Sequence, residues 1–147
     1  MSSFQIIVGS MLGGSEYVAE ACEEVLIGYG HQVELHFQPD LAQISNKNQT
    51  WLICTSTHGA GDYPDNIQAF ATDIENTDLD LSSVKLLTIA IGDSNYDTFC
   101  YAGKNINKLL LSKGCIELLP LITLDMNEDI DPEERSQAWL SENQDHL

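Results

Sequence analysis

The chain has 147 residues, 43% of them hydrophobic, with 23 acidic against six basic residues and a formal net charge of −17. That length and apolar content suit one folded domain, residues 1–147, and argue against a disordered chain. The excess of negative charge argues against nucleic acid and anionic membrane surfaces as partners, because few cations exist to replace phosphate counterions; it favours a basic protein partner.

No apolar run approaches membrane-spanning length, and the N-terminus lacks the basic stretch of a secretory signal. Cys22, Cys54, Cys100 and Cys115 are scattered, without a C-x-x-C pair. Zinc and thioredoxin chemistry are therefore not expected, and reduced thiols in a cytoplasmic protein are.

The elements follow in chain order. Residues 4–8, Phe-Gln-Ile-Ile-Val, read as a buried strand. A loop of Ser10-Met11-Leu12-Gly13-Gly14-Ser15 leads to a helix in which Tyr17, Val18, Ala21, Val25 and Leu26 recur at helical spacing, ended by Gly28 and Gly30. Residues 32–37 alternate as a second strand, and a short helix is expected around Leu41. Residues 51–55 form a third strand, apolar on both faces. It opens into Ser56-Thr57-His58-Gly59-Ala60-Gly61-Asp62-Tyr63-Pro64-Asp65-Asn66, a long loop shaped by glycine and proline, and a helix over 66–75 follows. The fourth strand, 84–91, opens into Gly92-Asp93-Ser94-Asn95-Tyr96-Asp97-Thr98-Phe99-Cys100, and a helix runs to Leu111. Residues 115–124, broken at Pro120, supply a fifth strand, and Asp131 with Pro132 starts the last helix.

Strands alternating with helices predict an α/β three-layer sandwich. With right-handed crossovers, a doubly wound five-stranded parallel sheet in the order 2-1-3-4-5 is the natural solution. That order brings the loops after strands one, three and four to one sheet edge, across the switch point where such folds bind ligands.

Those loops carry chemistry. The first lacks the Gly-Lys-Ser/Thr of a P-loop and the G-x-G-x-x-G of a dinucleotide site, and no Lys or Arg precedes Lys47. It is either a plain strand–helix turn with Ser15 as N-cap, or a cradle of backbone N–H groups and the Ser10 and Ser15 hydroxyls for one terminal phosphate. Ser56 and Thr57 add hydroxyls. His58 and Tyr96 stand where they could flank a flat ring, at about 0.5–1.5 kcal/mol beyond area burial for good stacking. Gly59, Gly61 and Gly92 admit a close backbone approach. Asp93 reads as an acceptor for a ring N–H or as a turn residue, His58 as a ring contact or a solvent-facing loop residue, and Cys100 as a packed thiol. A phosphate at one end and a sandwiched polar ring at the other describe FMN. Strand three ends without the phosphoacceptor Asp of a receiver domain, and Arg135, the only arginine, fits no Cys-x5-Arg phosphatase.

The three loops, in this order and spacing, resemble those of the flavodoxin family, most of all its short-chain MioC-type branch. The resemblance covers the whole chain. It implies a monomeric FMN-binding electron carrier without catalytic residues of its own. It also implies a flavodoxin or ferredoxin-type reductase as donor and an acceptor enzyme with a basic surface, which the MioC branch suggests is biotin synthase. The phosphate would be held by backbone amides of Ser10, Met11, Leu12, Gly13, Gly14 and Ser15 with the Ser10 and Ser56 hydroxyls. His58 matches the inner stacker and Tyr96 the outer one. Gly59 matches the residue whose carbonyl turns toward the flavin N5–H on reduction. Asp93 and the Cys100 backbone match the pyrimidine-edge contacts, with Thr57, Ala60, Gly61, Gly92 and Phe99 in the surrounding loops. Leu12 in place of a hydroxyl residue and His58 in place of Trp or Tyr imply weaker FMN binding than is typical. The same two departures leave open a rival reading, a regulatory module that has lost flavin. Carboxylates near the ring, among them Asp62, Asp65, Asp93 and Asp97, would oppose added negative charge and make the reduced ring a strong reductant.

Overall fold

The computed structural model describes residues 2–11 and 13–147. Its strands are β1 (Ser3–Gly9), β2 (Gln32–His36), β3 (Gln49–Thr55), β4 (Val84–Gly92), β5 (Ile116–Glu117) and β6 (Ile122–Asp125). Its helices are α1 (Gly14–Gly28), α2 (Asp65–Asn76), α3 (Tyr101–Ser112) and α4 (Pro132–Glu142), with a short 3-10 turn at Leu41–Gln43. The sheet runs β2-β1-β3-β4-β5, every pairing parallel, with β6 also paired to β4. The expected doubly wound order is therefore present.

One expectation needs correcting. The fifth strand is two short strands rather than one. β5 pairs with Lys85 and Leu86 of β4, and β6 with Ile89 to Gly92. Between them Leu118 and Leu119 turn toward the core and Pro120 is exposed. Proline has no N–H for the ladder, so pairing lapses around it and resumes further on.

Strand periodicity explains the two layers. Phe4, Ile6 and Val8 point to one face with Leu52 and Leu87, where Val18, Cys22 and Leu26 of α1 and Leu140 of α4 cover them. Ile7, Trp51, Ile53 and Leu86 point to the other, against Phe70 and Ile74 of α2 and Ile106 and Leu110 of α3. Each fully buried large apolar side chain contributes about 1.5–3 kcal/mol of transfer free energy. Trp51 is wholly buried and still satisfies its indole, whose Nε1–H donates to the Ser45 carbonyl at 2.9 Å.

Helix ends follow local chemistry. α1 closes in a Schellman motif: Gly30 at φ 87° donates to Ile27 and His31 to Leu26. α4 begins as expected, with Asp131 accepting the Glu133 and Glu134 N–H groups and Pro132 in the first turn. All four cysteines are buried free thiols, and burial pushes Cys22 and Cys115 up to about 12. No described helix is long and apolar enough to cross a membrane.

Candidate functional site

β1, β3 and β4 all deliver their C-terminal ends to one edge, and three loops meet there. Gly9 ends β1 where no side chain fits: a Cβ would press on Thr55 Oγ1 and lie 2.8 Å from the Ile67 side chain. The Ser56 N–H donates to the Gly9 carbonyl at 3.0 Å, joining the first two loops at their roots. Gly13, left-handed at φ 88°, is the N-cap of α1 and offers no side chain to cap it. Ser15 is not the N-cap. It sits inside the first turn, buried, and its Oγ has no hydrogen-bond partner among the described residues. The first intrahelical bond is Tyr17 N–H to Gly13 carbonyl, 3.3 Å. The N–H groups of Gly14, Ser15 and Glu16, at the positive end of the helix dipole, have no hydrogen-bond acceptor among the described residues. Two other polar groups of this loop are already used: Ser10 Oγ accepts the Gly13 N–H at 2.8 Å, and the Ser10 N–H donates to Asn66 Oδ1 at 2.9 Å. The sequence also assigns Leu12 to this loop; it lies outside the described residues.

The second loop is a tight hairpin turn. His58 and Asp62 exchange both backbone hydrogen bonds, each 2.8 Å. Gly59 at φ 52° and Gly61 at φ 105° supply the left-handed positions between them, and a Cβ on Gly61 would also press on the Tyr101 ring. Thr57 Oγ1 accepts the Ala102 N–H at 3.3 Å, which ties the exit of β3 to the first turn of α3.

The third loop is braced from the chain that follows β6. Asp125 Oδ1 accepts the Ser94 and Asn127 N–H groups, each 3.0 Å, and the Met126 N–H donates to the Gly92 carbonyl at 2.8 Å. The Ser94 hydroxyl and N–H, with the Asn127 N–H, hold the Asp125 carboxyl below its usual range. Its depressed value means this bracing is present at neutral pH and is lost as the carboxyl protonates in acid. Asp93 takes the turn role, its Oδ1 accepting the Asn95 N–H at 2.9 Å. A Cβ on Gly92 would lie 2.7 Å from the Cys100 backbone nitrogen. Cys100 itself adopts φ 57° as N-cap of α3, with its thiol directed at the Ala90 carbonyl 3.2 Å away. Burial pushes that thiol up to about 11, against the opposing pull of Lys104, which favours its protonated form at neutral pH.

Two cavities open between the loops and share Thr57. The first, about 330 Å³, is walled by Ser10, Met11, Gly14 and Ser15, by Ser56, Thr57 and His58, and by Val18, Ile91, Met126 and Pro132. The second, about 280 Å³, is walled by Thr57, Gly59, Gly92, Asp93, Tyr96, Thr98 and Cys100. No Lys or Arg lines either cavity. Tyr96 is 66% exposed and presents its ring at the rim. His58 and Tyr96 thus stand in different cavities, on either side of Thr57. Of the residues singled out in the sequence, Gly13, Ala60, Gly61 and Phe99 line neither cavity; Phe99 lies instead beneath Lys104, whose Nζ is 5.2 Å from its ring centre.

Sequence reasoning missed Met126 and Pro132, although the strand order places the exit of the fifth strand beside that of the fourth. Val18, one turn after Ser15 on the same helix face, carried a signal in its spacing. Asn66 was read only as the end of the second loop and the start of a helix. Its side chain joins three segments: Oδ1 accepts from Ser10, and Nδ2 donates to the Val8 carbonyl at 2.6 Å and the Phe37 carbonyl at 3.0 Å.

A helix start and a buried hydroxyl without partners among the described residues, beside a cavity with an aromatic rim, fit a phosphorylated planar ligand such as FMN. The flavodoxin family model matches residues 6–139. A MioC homolog from Haemophilus influenzae is 38% identical over 135 residues, 92% of each chain. Flavodoxin YqcA from Escherichia coli is 32% identical over 143 residues, covering 97% of this chain and 96% of that one. The solved structure of a point mutant of flavodoxin from Pseudomonas aeruginosa superposes with a TM-score of 0.90 at 30% identity, covering 99% of this chain and 98% of that one. With its sheet order, its three converging loops and these relatives along nearly its whole length, this chain belongs to the flavodoxin family.

Proposed function

We propose that the chain is a cytoplasmic, monomeric electron carrier whose 147 residues form a single FMN-binding domain and turn over no substrate of their own. The observation that carries this reading is the pair of cavities that share Thr57: one is lined by a helix N-terminus and by Ser15, whose Oγ has no partner among the described residues, and the other has Tyr96 at its rim. Bound there, FMN supplies the electron-transfer chemistry of its ring. The residues do the rest. The Gly14, Ser15 and Glu16 N–H groups and the Ser10, Ser15 and Ser56 hydroxyls bind the phosphate, without a cationic side chain. Tyr96 would stack on one ring face and His58 on the other, the backbones of Gly59, Gly92 and Cys100 would meet the ring edge, and Asp93 would stand beside it.

The deciding test is titration of apoprotein with FMN, followed by flavin fluorescence. Saturable quenching at one FMN per chain is expected; a flat titration would leave only a flavin-free regulatory module. In the same assay Tyr96→Ala is expected to weaken FMN by about 1 kcal/mol, near fivefold, the scale of a lost aromatic stack. Unchanged affinity would place the Tyr96 ring elsewhere.

Donor and acceptor are proposed on chemistry. A reductase of the flavodoxin or ferredoxin type feeds electrons in, and a basic-surfaced enzyme, with biotin synthase the one the resemblance implies, takes them. Asp62 and Asp97 are exposed on the loops framing the cavities, and Asp65 is exposed at the start of α2. Electron transfer needs only a brief, small interface, and opposite charge sets its encounter rate. The bimolecular rate of reduction by such a reductase is expected to fall as salt rises, because exposed charges are screened beyond about 10 Å at 0.1 M. Asp65→Lys should lower the rate at low salt and flatten that dependence. Stopped-flow rates indifferent to ionic strength would reduce the acidic surface to a solubility feature.

A further inference from the structure

We propose that Asn66 is the positioning residue of the phosphate loop, setting affinity for the phosphate end of the ligand without touching it. The inference rests on the FMN reading above and deepens it. Asn66 lines neither cavity, yet its half-buried amide bonds the backbones on both sides of the site's root. Oδ1 takes the Ser10 N–H, while Nδ2 spans the Val8 carbonyl at the end of β1 and the Phe37 carbonyl just past β2.

Only a primary amide of this length offers one acceptor and two donors in a plane. Its orientation is fixed by its partners, since a flipped amide would set NH2 against N–H and oxygen against two carbonyls. The neighbouring residue adds a second brace, the Asp65 N–H donating to Met11 Sδ at 3.3 Å. The first turn of α2 therefore grips Ser10 and Met11, the two residues through which the chain leaves β1.

This has a chemical consequence. The Ser10 N–H is turned away from the ligand and toward α2, which fixes the peptide plane of Ser10 and with it the hydroxyl that accepts the Gly13 N–H at 2.8 Å. That bond in turn sets Gly13, whose left-handed backbone aims the Gly14, Ser15 and Glu16 N–H groups outward. In a loop without cations, phosphate affinity depends on these donors converging. Asn66 supplies that convergence from behind. Asn66 lines neither cavity and so has no contact to offer the ring.

The test compares FMN with riboflavin, which lacks only the phosphate. Asn66→Ala is expected to weaken FMN by about tenfold, the scale of one well-placed hydrogen bond to a charged group, while riboflavin affinity changes less than about twofold on the same scale. A merely structural role would lower both affinities together. Hydrogen exchange on the wild-type apoprotein reads the brace without any mutation: the Ser10 amide should be protected although it lies in a loop, and should lose that protection in Asn66→Ser. A fast-exchanging Ser10 amide in the wild type, or an FMN-to-riboflavin affinity ratio unchanged in both variants, would overturn the proposal. Wild-type protein that itself fails to prefer FMN would instead overturn the phosphate-site reading beneath it.

Discussion

FMN is expected to bind the apoprotein at least about a hundredfold more tightly than riboflavin, a difference of about 2.7 kcal/mol. The two ligands share the ring and the ribityl chain, so the difference isolates the phosphate. Three helix N–H groups and the buried Ser15 Oγ, none of which has a partner among the described residues, are the donors on offer. Charge-assisted hydrogen bonds each contribute about 1.5–3 kcal/mol, so two good ones reach the stated difference after some loss to desolvation of the dianion. The opposing effect is the net charge of −17, which repels a phosphate at long range. That repulsion is screened by salt, whereas short contacts in a shielded loop are not. The preference for FMN should therefore hold or widen between low and physiological salt, the reverse of a site built on lysines. Parallel fluorescence titrations measure both. Equal affinities for the two flavins would mean that the first cavity holds something other than a phosphate.

The second large effect is expected at Gly103. Helix propensity alone says that alanine inside α3 should stabilise by about 0.5–1 kcal/mol. Packing says the opposite. A Cβ at Gly103 would sit 2.8 Å from the Ala90 Cα, against backbone of β4 that cannot turn aside. Overpacking of that kind costs about 1–3 kcal/mol, so Gly103→Ala should be net destabilising, and Gly103→Val should lie at the top of that range or above it. For a chain of this size each 1 kcal/mol lowers the melting temperature by about 2–4 °C. The damage should also reach the site. α3 begins directly after Cys100, and its Ala102 N–H is held by Thr57, the residue common to both cavities. Lifting α3 off the sheet moves Cys100 and Thr57 apart and should weaken flavin binding beyond what reduced stability explains. Gly103→Ala with an unchanged or raised melting temperature would show that helix and strand have room to separate.

The sequence was most readable where periodicity was strong. β1, β3 and β4 are runs of apolar residues bounded by loop-forming residues, and their order followed from connection rules, because a parallel sheet admits few right-handed windings. The loops were readable because glycine, hydroxyl and aromatic residues fell immediately after those strands. What stayed hidden was mostly tertiary. Pro120 signalled a break in the fifth strand but not that pairing with β4 would resume beyond it. Asp93 and Ser15 each had two local readings, and only the surrounding bonds separate them: Asp93 turns back to Asn95, while Ser15 is carried past the cap position because Gly13 occupies it. Asn66 could not be found from spacing at all, since its three partners come from segments up to 58 residues away.

The divided fifth strand has a consequence for the sheet as a whole. Its central strands are long apolar runs of the kind that pair with other chains when a margin is left open. At one margin β5 offers only Ile116 and Glu117 before Pro120 interrupts the ladder, and the chain resumes pairing closer to the functional end. At the other margin β2 carries exposed Gln32 and Glu34. Neither side presents an uninterrupted hydrophobic template, and the acidic surface adds mutual repulsion between copies. Pairing of one copy with another through either margin of the sheet is thereby disfavoured.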